Sequence, residues 1–343
     1  METIIVTGGA GYIGSHTIIE LLNKTIFQIV SIDNFSNSSP DSYSRISALT
    51  SRPFETIQVD LCDQVLLNQK LSNYSNIIGI IHFAAFKSVS DSISDPIKYY
   101  HNNINSLNNI LDFVKQQNVL NFIFSSSCSV YGNSKDLPVT ENSPLQKAES
   151  PYGHTKQISE EIISFFCKTN PSFKTVLLRY FNPVGAHPSG KNGEFPINIP
   201  NNLVPIITQT AIGKNSLTVF GNDYNTRDGS CIRDYIHVCD IADAHLKALN
   251  YLIQHREKKQ CSLFNLGTGN GVSVLEAIKS FEKITNQKLK YKIGERRTGD
   301  VIAIYANNEL AKTELNWIPQ YNIDDMMLSA WKWENHLEEQ NAK

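Results

Sequence analysis

Apolar, β-branched runs alternate with helical patterns through the first half of the chain. The runs predict strands, and several of them lack polar alternation, as expected for a sheet covered on both faces. Predicted strands cover residues 4–7, 28–32, 55–59, 77–83, 121–125 and 175–179. Predicted helices between them cover residues 13–23, 96–117 and 151–168. This order predicts an α/β fold with a doubly wound parallel sheet.

The pattern changes after Tyr180. Residues 182–202 are rich in Pro, Gly and Asn and predict a long loop that leaves the sheet. A helix at 204–212, a strand at 233–238, an amphipathic helix at 240–255 and a strand at 262–266 follow. We expect the last two strands to return to the first sheet. The first, Rossmann-like domain then comprises residues 1–182 and about 235–266, and a smaller, discontinuous α/β lobe comprises about 183–234 and 267–343.

Composition and charge exclude several classes of protein. Hydrophobic residues make up 41% and charged residues 19% of the 343 residues, which excludes disorder over most of the length. With 31 basic and 33 acidic residues the formal net charge is −2, so we expect neither nucleic acid nor an anionic membrane as partner. Any bound phosphate then needs a local site.

Two further patterns bear on the cellular environment. The longest apolar stretch, residues 77–86, is too short for a membrane helix of about 20 residues, and residues 3–7 predict a core strand rather than a signal peptide. The six cysteines form no C-x-x-C pair and no zinc-like spacing with histidine. We therefore predict free thiols, no metal site and a cytoplasmic location.

Gly8, Gly11 and Gly14 lie between the first predicted strand and the first predicted helix. Glycines there let the backbone turn tightly and let a pyrophosphate approach the N–H groups of the helix N-terminus. Asp33 ends the second strand, 33 − 14 = 19 residues after Gly14, near the spacing expected for an acid on the adenosine ribose. A carboxylate there repels the 2′-phosphate of NADP, so the pattern predicts NAD. A glycine turn without ligand is the alternative, and the strand–glycine–helix–strand order disfavours it.

The G-x-x-G-x-x-G spacing resembles the extended branch of the short-chain dehydrogenase/reductase superfamily. The resemblance implies that NAD also contacts the glycine loop and the residues that end the second, third and fourth strands. These further residues are Tyr12, Ile13, Asn34, Asp60, Leu61, Phe83, Ala84 and Ala85.

Tyr152 and Lys156 open a predicted helix and lie on one of its faces. An ammonium group beside a phenol stabilises the phenolate. Lowering the pKa of tyrosine from about 10 towards 7 needs roughly 4 kcal/mol, which Lys156 and the positive nicotinamide of NAD can supply together. Ser127 ends the preceding strand and is placed to bond the same hydroxyl. Alone, Tyr-x-x-x-Lys is more often a surface pair, but behind a dinucleotide fold it predicts Tyr152 as general base, with Lys156 and Ser127 as the other catalytic residues.

Longer motifs resemble the UDP-glucose 4-epimerase family. They cover residues 99–103, 125–132, 181–190, 199–203, 220–224, 233–238 and 294–300, and the resemblance extends from Ile4 to about Trp317. It implies that the protein interconverts UDP-glucose and UDP-galactose on tightly bound NAD. Tyr152 removes the proton of the sugar 4-hydroxyl, the C4 hydride passes to NAD, and the 4-keto sugar rotates before the hydride returns to its opposite face.

The same resemblance implies the remaining contacts. The cofactor is contacted by Lys87, Asn102, Tyr152, Lys156 and Tyr180. Arg233 and Arg297 clamp the pyrophosphate, whose oxygens match the forked guanidinium donors. Asp300 accepts a hydrogen bond from a ribose hydroxyl and Phe220 lies by the uracil. The substrate residues in full are Lys87, Ser127, Tyr152, Phe181, Asn182, Asn202, Leu203, Phe220, Arg233, Arg297 and Asp300.

Ile304 is a departure from the family pattern. That position often carries Tyr or a small residue such as Cys, which gates the entry of N-acetylated sugars, and Ile is intermediate in size. We therefore expect UDP-glucose and UDP-galactose as the main pair. An epimerase of another nucleotide sugar, such as UDP-N-acetylglucosamine, is the alternative.

Two rival functions are less favoured. A nucleotide-sugar 4,6-dehydratase needs an Asp-Glu pair after the strand-end hydroxyl residue, where this chain has Cys128 and Ser129. A non-enzymatic NAD-binding protein can lose the reactive tyrosine and lysine, which this chain retains.

The family resemblance also implies a homodimer. The helices at 96–117 and 151–168 would pair with those of a second copy, through apolar side chains such as Ile104, Leu107, Leu111, Phe165 and Phe166. Packing of these side chains within one chain is the alternative.

Overall fold

A computed structural model describes residues 1–197, 200, 202–255, 259–297 and 300–341. The strands are β1 (Thr3–Thr7), β2 (Gln28–Asp33), β3 (Glu55–Gln58), β4 (Ile77–His82), β5 (Asn121–Ser127), β6 (Lys174–Tyr180), β7 (Asn182–Val184), β8 (Leu217–Phe220), β9 (Ile232–His237), β10 (Cys261–Leu266), β11 (Gly271–Ser273), β12 (Tyr291–Gly294) and β13 (Ala303–Ile304). The helices are α1 (Tyr12–Lys24), α2 (Asp41–Leu49), α3 (Gln64–Leu71), α4 (Val89–Ser94), α5 (Pro96–Gln117), α6 (Pro151–Thr169), α7 (Leu203–Ala211), α8 (Val238–Gln254), α9 (Val274–Thr285), α10 (Glu309–Glu314) and α11 (Ile323–Asn341).

Seven parallel strands form the main sheet, in the order β10-β6-β5-β4-β1-β2-β3. One face packs against α1 and α8, and the other packs against α3, α5 and α6. Both faces are therefore covered, which explains the apolar runs without polar alternation. The predicted fold class, a doubly wound parallel α/β sheet, is confirmed.

The strand order reverses between β1 and β4. From β1 the chain builds outward to β2 and β3, and it then crosses back to build β4, β5 and β6 on the other side. In open α/β sheets, ligands bind beyond the carboxyl ends of the strands at such a reversal. The segments after β1 and β4 carry Gly8 and Phe83, so the predicted cofactor residues lie at this point.

The part of the molecule that we call the second half consists of β7–β9, β11–β13 and the helices α7, α9 and α11. Its strands form smaller sheets over a separate core. Strands β11, β9 and β13 are neighbours, β7 also pairs with β9, and β12 pairs with β8. Apolar side chains of α7, α9 and α11 pack together beneath them. Loops that lead from the main sheet carry this half over the carboxyl ends of the strands.

One of the two strands predicted to return to the main sheet does not do so. The strand predicted at 262–266 does return, as β10 beside β6. The strand predicted at 233–238 is β9, which pairs with β7, β11 and β13 instead. An apolar pattern predicts a strand but carries no information about its partner. The buried Asp234 carboxylate of β9 accepts hydrogen bonds from Thr268 and Ala306, which fixes β9 among the segments of the second half.

The two halves are also interleaved near the end of the chain. Ala311, Leu315 and Trp317 pack into the core that α1 and α8 share with the main sheet. The indole Nε1 of Trp317 donates to the Asp240 carbonyl at 2.8 Å. The predicted two-domain division stays a prediction, and these contacts give its first domain an additional segment beyond residue 267.

Candidate active site

A cleft of about 720 Å³ runs between the carboxyl ends of the main sheet and the second half. Of the residues predicted from the sequence, Leu203 and Phe220 do not line it. Leu203 packs towards the second core, and Phe220 is 40% exposed at the end of β8. The predicted residues that line the cleft are Gly8, Gly11, Tyr12, Ile13, Gly14, Asp33, Asn34, Asp60, Leu61, Phe83, Ala84, Ala85, Lys87, Asn102, Ser127, Tyr152, Lys156, Tyr180, Phe181, Asn182, Asn202, Arg233, Arg297 and Asp300.

The glycine loop is shaped by close backbone contacts. Gly8 has a φ of +69°, and a Cβ at this position would lie 2.7 Å from the backbone nitrogen of Ala84. A Cβ on Gly14 would lie 2.3 Å from the carbonyl oxygen of Gly8. Among the residues that the structure describes, no side chain caps the N-terminus of α1 at Gly11. The loop therefore presents a backbone cradle and the positive end of a helix, which suit a diphosphate.

Carboxylates follow β2 and β3 at the same edge. Asp33 is buried, accepts a hydrogen bond from the Ala10 backbone at 3.0 Å and accepts another from the Ser38 hydroxyl at 2.8 Å. The Asn34 amide donates to Asp60 at 3.0 Å. These bonds hold the Asp33 carboxylate beside the glycine loop, where it suits the hydroxyls of a ribose and opposes a 2′-phosphate.

Tyr152, Lys156 and Ser127 meet on the floor of the cleft. Tyr152 lies in the first turn of α6, whose N-terminus is capped by the Ser150 hydroxyl. Lys156 is buried, donates from Nζ to the Ser125 carbonyl at 2.6 Å and lies 5.9 Å from the centre of the Tyr152 ring. Strand β5 carries Ser127 and helix α6 carries the other two, so the packing of α6 against β5 brings the three together.

Burial dominates the proton affinities on this floor. It raises the pKa of Tyr152 to about 12, and the Ser127 hydroxyl acts against this rise. Burial also lowers the pKa of Lys156 to about 7. The phenol therefore keeps its proton at neutral pH when the protein acts alone. An added positive charge in the cleft would lower the pKa of Tyr152, which is the change that a general base requires.

Charged side chains gather at the outer rim of the cleft. Asp300 accepts hydrogen bonds from Arg297 Nη2 at 2.8 Å and from Arg233 Nη2 at 3.4 Å. Arg233 also donates to the Val301 carbonyl at 2.7 Å. The guanidinium of Arg297 lies 5.5 Å from the centre of the Phe220 ring. Two of the motifs that resemble the family, residues 199–203 and 294–300, are only partly described, because residues 199, 201, 298 and 299 lie outside the described residues.

Sequence reasoning missed Glu194, which also lines the cleft. Its Oε1 atom accepts from Lys87 Nζ at 2.8 Å and from the Asn202 amide at 2.9 Å. The side chain lies in the long loop after β7, where no periodic pattern singles out one carboxylate. Its only sequence signal is its place in the Pro-, Gly- and Asn-rich loop at residues 182–202, between two motifs of the family resemblance.

Comparisons with known proteins give matches that cover nearly the whole chain. A family model described as GDP-mannose 4,6 dehydratase matches residues 5–329. A UDP-glucose 4-epimerase of Pasteurella multocida is 46% identical over 332 residues, which cover 96% of this chain and 97% of that protein. The chain belongs to the UDP-glucose 4-epimerase family.

Solved structures of this family have the same fold. The crystal structure of UDP-glucose 4-epimerase from Bifidobacterium longum in complex with NAD+ and UDP has a TM-score of 0.92 at 44% identity, with 97% of this chain and 98% of that chain covered. A UDP-Glc/GlcNAc 4-epimerase from Campylobacter jejuni has a TM-score of 0.83 at 36% identity, with 98% and 100% covered. The expectation of an NAD-dependent isomerase of nucleotide sugars is confirmed at the level of the family.

Proposed function

We propose that the protein interconverts UDP-glucose and UDP-galactose, with NAD retained through each cycle. The observation that carries the proposal is that Tyr152, Lys156 and Ser127 lie together on the floor of the cleft, and that the glycine loop lines the same cleft. The names of the relatives support the sugar pair, and the structure bound to NAD+ and UDP supports both ligands.

The residues at the inner end of the cleft fit NAD. Gly8, Gly11 and Gly14 form a cradle that a Cβ would fill, and Asp33 suits a ribose diol. Bound NAD supplies a hydride acceptor and donor. The chain's own residues bind it and shield the site, and Tyr180, at the end of β6 beside Ser127, forms one wall.

Tyr152 is the proposed proton acceptor and donor for the sugar 4-hydroxyl. Lys156, fixed by its bond to the Ser125 carbonyl, keeps a positive charge near the ring and favours the phenolate. The Ser127 hydroxyl lies beside the phenol and can hold the same sugar oxygen. A 4-keto sugar needs protection from water, and the cleft walls provide it.

The outer end of the cleft fits a UDP group. Arg233 and Arg297 present donors that match phosphate oxygens, and Asp300 can accept from a ribose hydroxyl. The Oδ1 atom of Asn182 is buried in the cleft wall without a partner among the described residues, so a ligand hydroxyl can satisfy it. These groups would hold the nucleotide while the sugar turns.

A broader substrate range is the second candidate. Ile304 lines the cleft and is buried against Phe181 and Tyr131, where its size limits the space beside the sugar. The relative named UDP-Glc/GlcNAc 4-epimerase favours this candidate. Turnover of UDP-N-acetylglucosamine as fast as UDP-glucose would replace our narrower proposal with it.

A homodimer and a cytoplasmic location complete the proposal. Leu107 and Leu111 are buried in this chain's own core, so they do not serve an interface. Ile97 on α5 and Phe165 on α6 are 74% and 64% exposed, and they support pairing of these helices with a second copy. A monomer mass in light scattering at micromolar concentration would contradict the dimer. The six free cysteines support a reducing compartment, and no helix among the described residues is long and apolar enough to cross a membrane.

The direct test is incubation of the purified protein with UDP-galactose and no added cofactor, with UDP-glucose followed by chromatography. We expect UDP-glucose to form without net NADH. If product forms only after NAD is added, the reaction stands and tight retention is wrong. If no product forms while NAD binds, the proposed sugar pair is wrong, and other nucleotide sugars should be tested in the same assay.

A further inference from the structure

A buried ion pair lies directly behind the proposed catalytic lysine. Glu160 follows Lys156 by one turn of α6, and Arg179 lies on β6 next to Tyr180. Arg179 donates from Nε to Glu160 Oε1 at 2.9 Å and from Nη2 to Oε2 at 2.6 Å. The Ser126 hydroxyl donates to Oε1 at 2.5 Å. Glu160 and Arg179 are both less than a tenth exposed.

The position of Glu160 makes it a natural partner for Lys156. Residues four apart on a helix lie on one face, and a lysine and a glutamate at this spacing commonly pair. Here both carboxylate oxygens of Glu160 are engaged by Arg179, and Ser126 adds a third bond. Lys156 instead donates to the Ser125 carbonyl, on the strand that also carries Ser127. The paired arginine thus leaves the ammonium group facing Tyr152.

The other titratable groups around Lys156 and the ion pair contribute little charge at neutral pH. Burial lowers the pKa of His82 on β4 to about 3 and raises the pKa values of Cys128 and Tyr131 to about 12. Burial raises the pKa of Tyr99 on α5 and of Tyr180 on β6.

Two more titratable groups lie near Arg179. The Cys261 thiol on β10 donates a hydrogen bond to Cys167, which raises the pKa of Cys261, so that thiol is neutral too. Glu141 faces Arg179 from the loop before α6 and accepts a bond from the Asn265 backbone. Glu160 and Arg179 are therefore the charges that bear most directly on Lys156.

We propose that Glu160 and Arg179 are positioning residues that act on the reaction through Lys156: Arg179 neutralises Glu160, and the pair thereby keeps the lysine charge available to Tyr152. The consequence for the reaction rests on the proposed function, whereas the effect on Lys156 can be measured without any sugar. Arg179 also packs over the Tyr131 ring at 4.7 Å, which fixes the guanidinium in the orientation that grips Glu160.

Removing Glu160 alone and removing Arg179 alone should shift the pKa of Lys156 in opposite directions. Glu160→Gln leaves the positive Arg179 unbalanced, so the pKa of Lys156 falls. Arg179→Gln leaves the negative Glu160 unbalanced, so Lys156 pairs with it and its pKa rises. Each shift should be about 0.5 to 1 unit, the size expected for one partly screened charge nearby. The double variant E160Q/R179Q has no unbalanced charge and should return close to the parent value.

The experiment is a carbon-13 NMR titration of lysine-labelled full-length protein, with the Lys156 signal assigned by its loss in Lys156→Met. The matched control is Glu161→Gln, which removes the same charge from the exposed face of α6 and should leave the titration unchanged. We expect E160Q to move the midpoint down and the double variant to restore it. Equal midpoints in the parent, E160Q and the double variant would overturn the proposal. If R179Q does not fold, those three proteins and the control still decide.

The pH profile of kcat is the second measurement. The profile of E160Q should move to lower pH by the same amount, and the double variant should return it, whereas loss of mere packing would lower kcat without this reversal. A parent protein that turns over no UDP-galactose would contradict the proposed function. The NMR titration would then still test the effect of the ion pair on the pKa of Lys156. A parent that is active while E160Q keeps the parent's profile would contradict only the role of the pair.

Discussion

The floor and the rim of the cleft hold their polar groups in different ways. On the floor, Lys156 is buried and bonded to the Ser125 carbonyl. At the rim, Arg297 is half exposed and pairs with Asp300, its neighbour three residues later in the chain. Buried bonds hold a group in one orientation. An exposed ion pair contributes only about 0–1 kcal/mol, so a ligand phosphate can replace the carboxylate at little cost.

This difference assigns separate tasks to the two regions. A rigid floor suits proton transfer, in which atoms must stay within hydrogen-bond distance of each other. An exchangeable rim suits binding and release of a charged nucleotide. Substitutions on the floor should therefore reduce kcat, and substitutions at the rim should raise KM. Each of the following experiments tests one side of this division.

The largest expected effect is that of Tyr152→Phe. Loss of the phenol hydroxyl removes the proposed general base, so kcat should fall by about 10²- to 10⁴-fold. NAD should stay bound, because the glycine loop and Asp33 are untouched. Turnover of UDP-galactose and the NAD content of the purified variant are the measurements.

Tyr74→Phe is the matched control, since its hydroxyl bonds Glu55 at the far edge of the sheet. Its kcat should equal that of the parent protein. Parent-like turnover in Tyr152→Phe would remove the assignment of the base, whatever the control does.

Sequence reasoning was strongest on the floor. Tyr152, Lys156 and Ser127 lie at the start of a helix or the end of a strand, and such positions follow from local patterns and fixed offsets. The rim is assembled by contacts between distant segments. Local patterns did not predict that β9 pairs with β7, β11 and β13, and they did not single out Glu194. Arg233 and Arg297 could be named only through the family resemblance, because an isolated arginine carries no local signal.

The second effect concerns the rim. Arg297→Met should raise KM for UDP-galactose by about 10- to 100-fold, the loss expected for one hydrogen-bonding charge on a phosphate. We expect kcat at saturating substrate to change little, because the floor is unaltered. Initial rates over a range of UDP-galactose concentrations provide both constants.

Arg296→Met is the control at the neighbouring position. Arg296 pairs with Asp223 and packs on the Tyr224 ring, and it does not line the cleft. Its removal should leave KM within about twofold of the parent value, as expected for an exposed pair. A fall in kcat at unchanged KM for Arg297→Met would break the division between floor and rim.

The smallest effect should come from Ile304, which lies where the floor meets the rim. Ile304→Ala should raise the ratio of kcat/KM for UDP-N-acetylglucosamine to that for UDP-glucose by about threefold to tenfold, because a few carbon atoms in an apolar wall discriminate only modestly. The variant should also lose about 2 kcal/mol or more of stability, because Ile304 is buried. Competing-substrate assays and urea unfolding measure the two effects.

Val139→Ala separates these effects. Val139 belongs to the same buried cluster as Ile304, but it does not line the cleft. Its truncation should cost stability while the ratio of the two kcat/KM values stays at the parent's. If both variants changed that ratio equally, loosening of the cluster would explain the selectivity. If neither did, the wall at Ile304 would not contact the sugar, and the N-acetyl group would have to be accommodated elsewhere in the cleft.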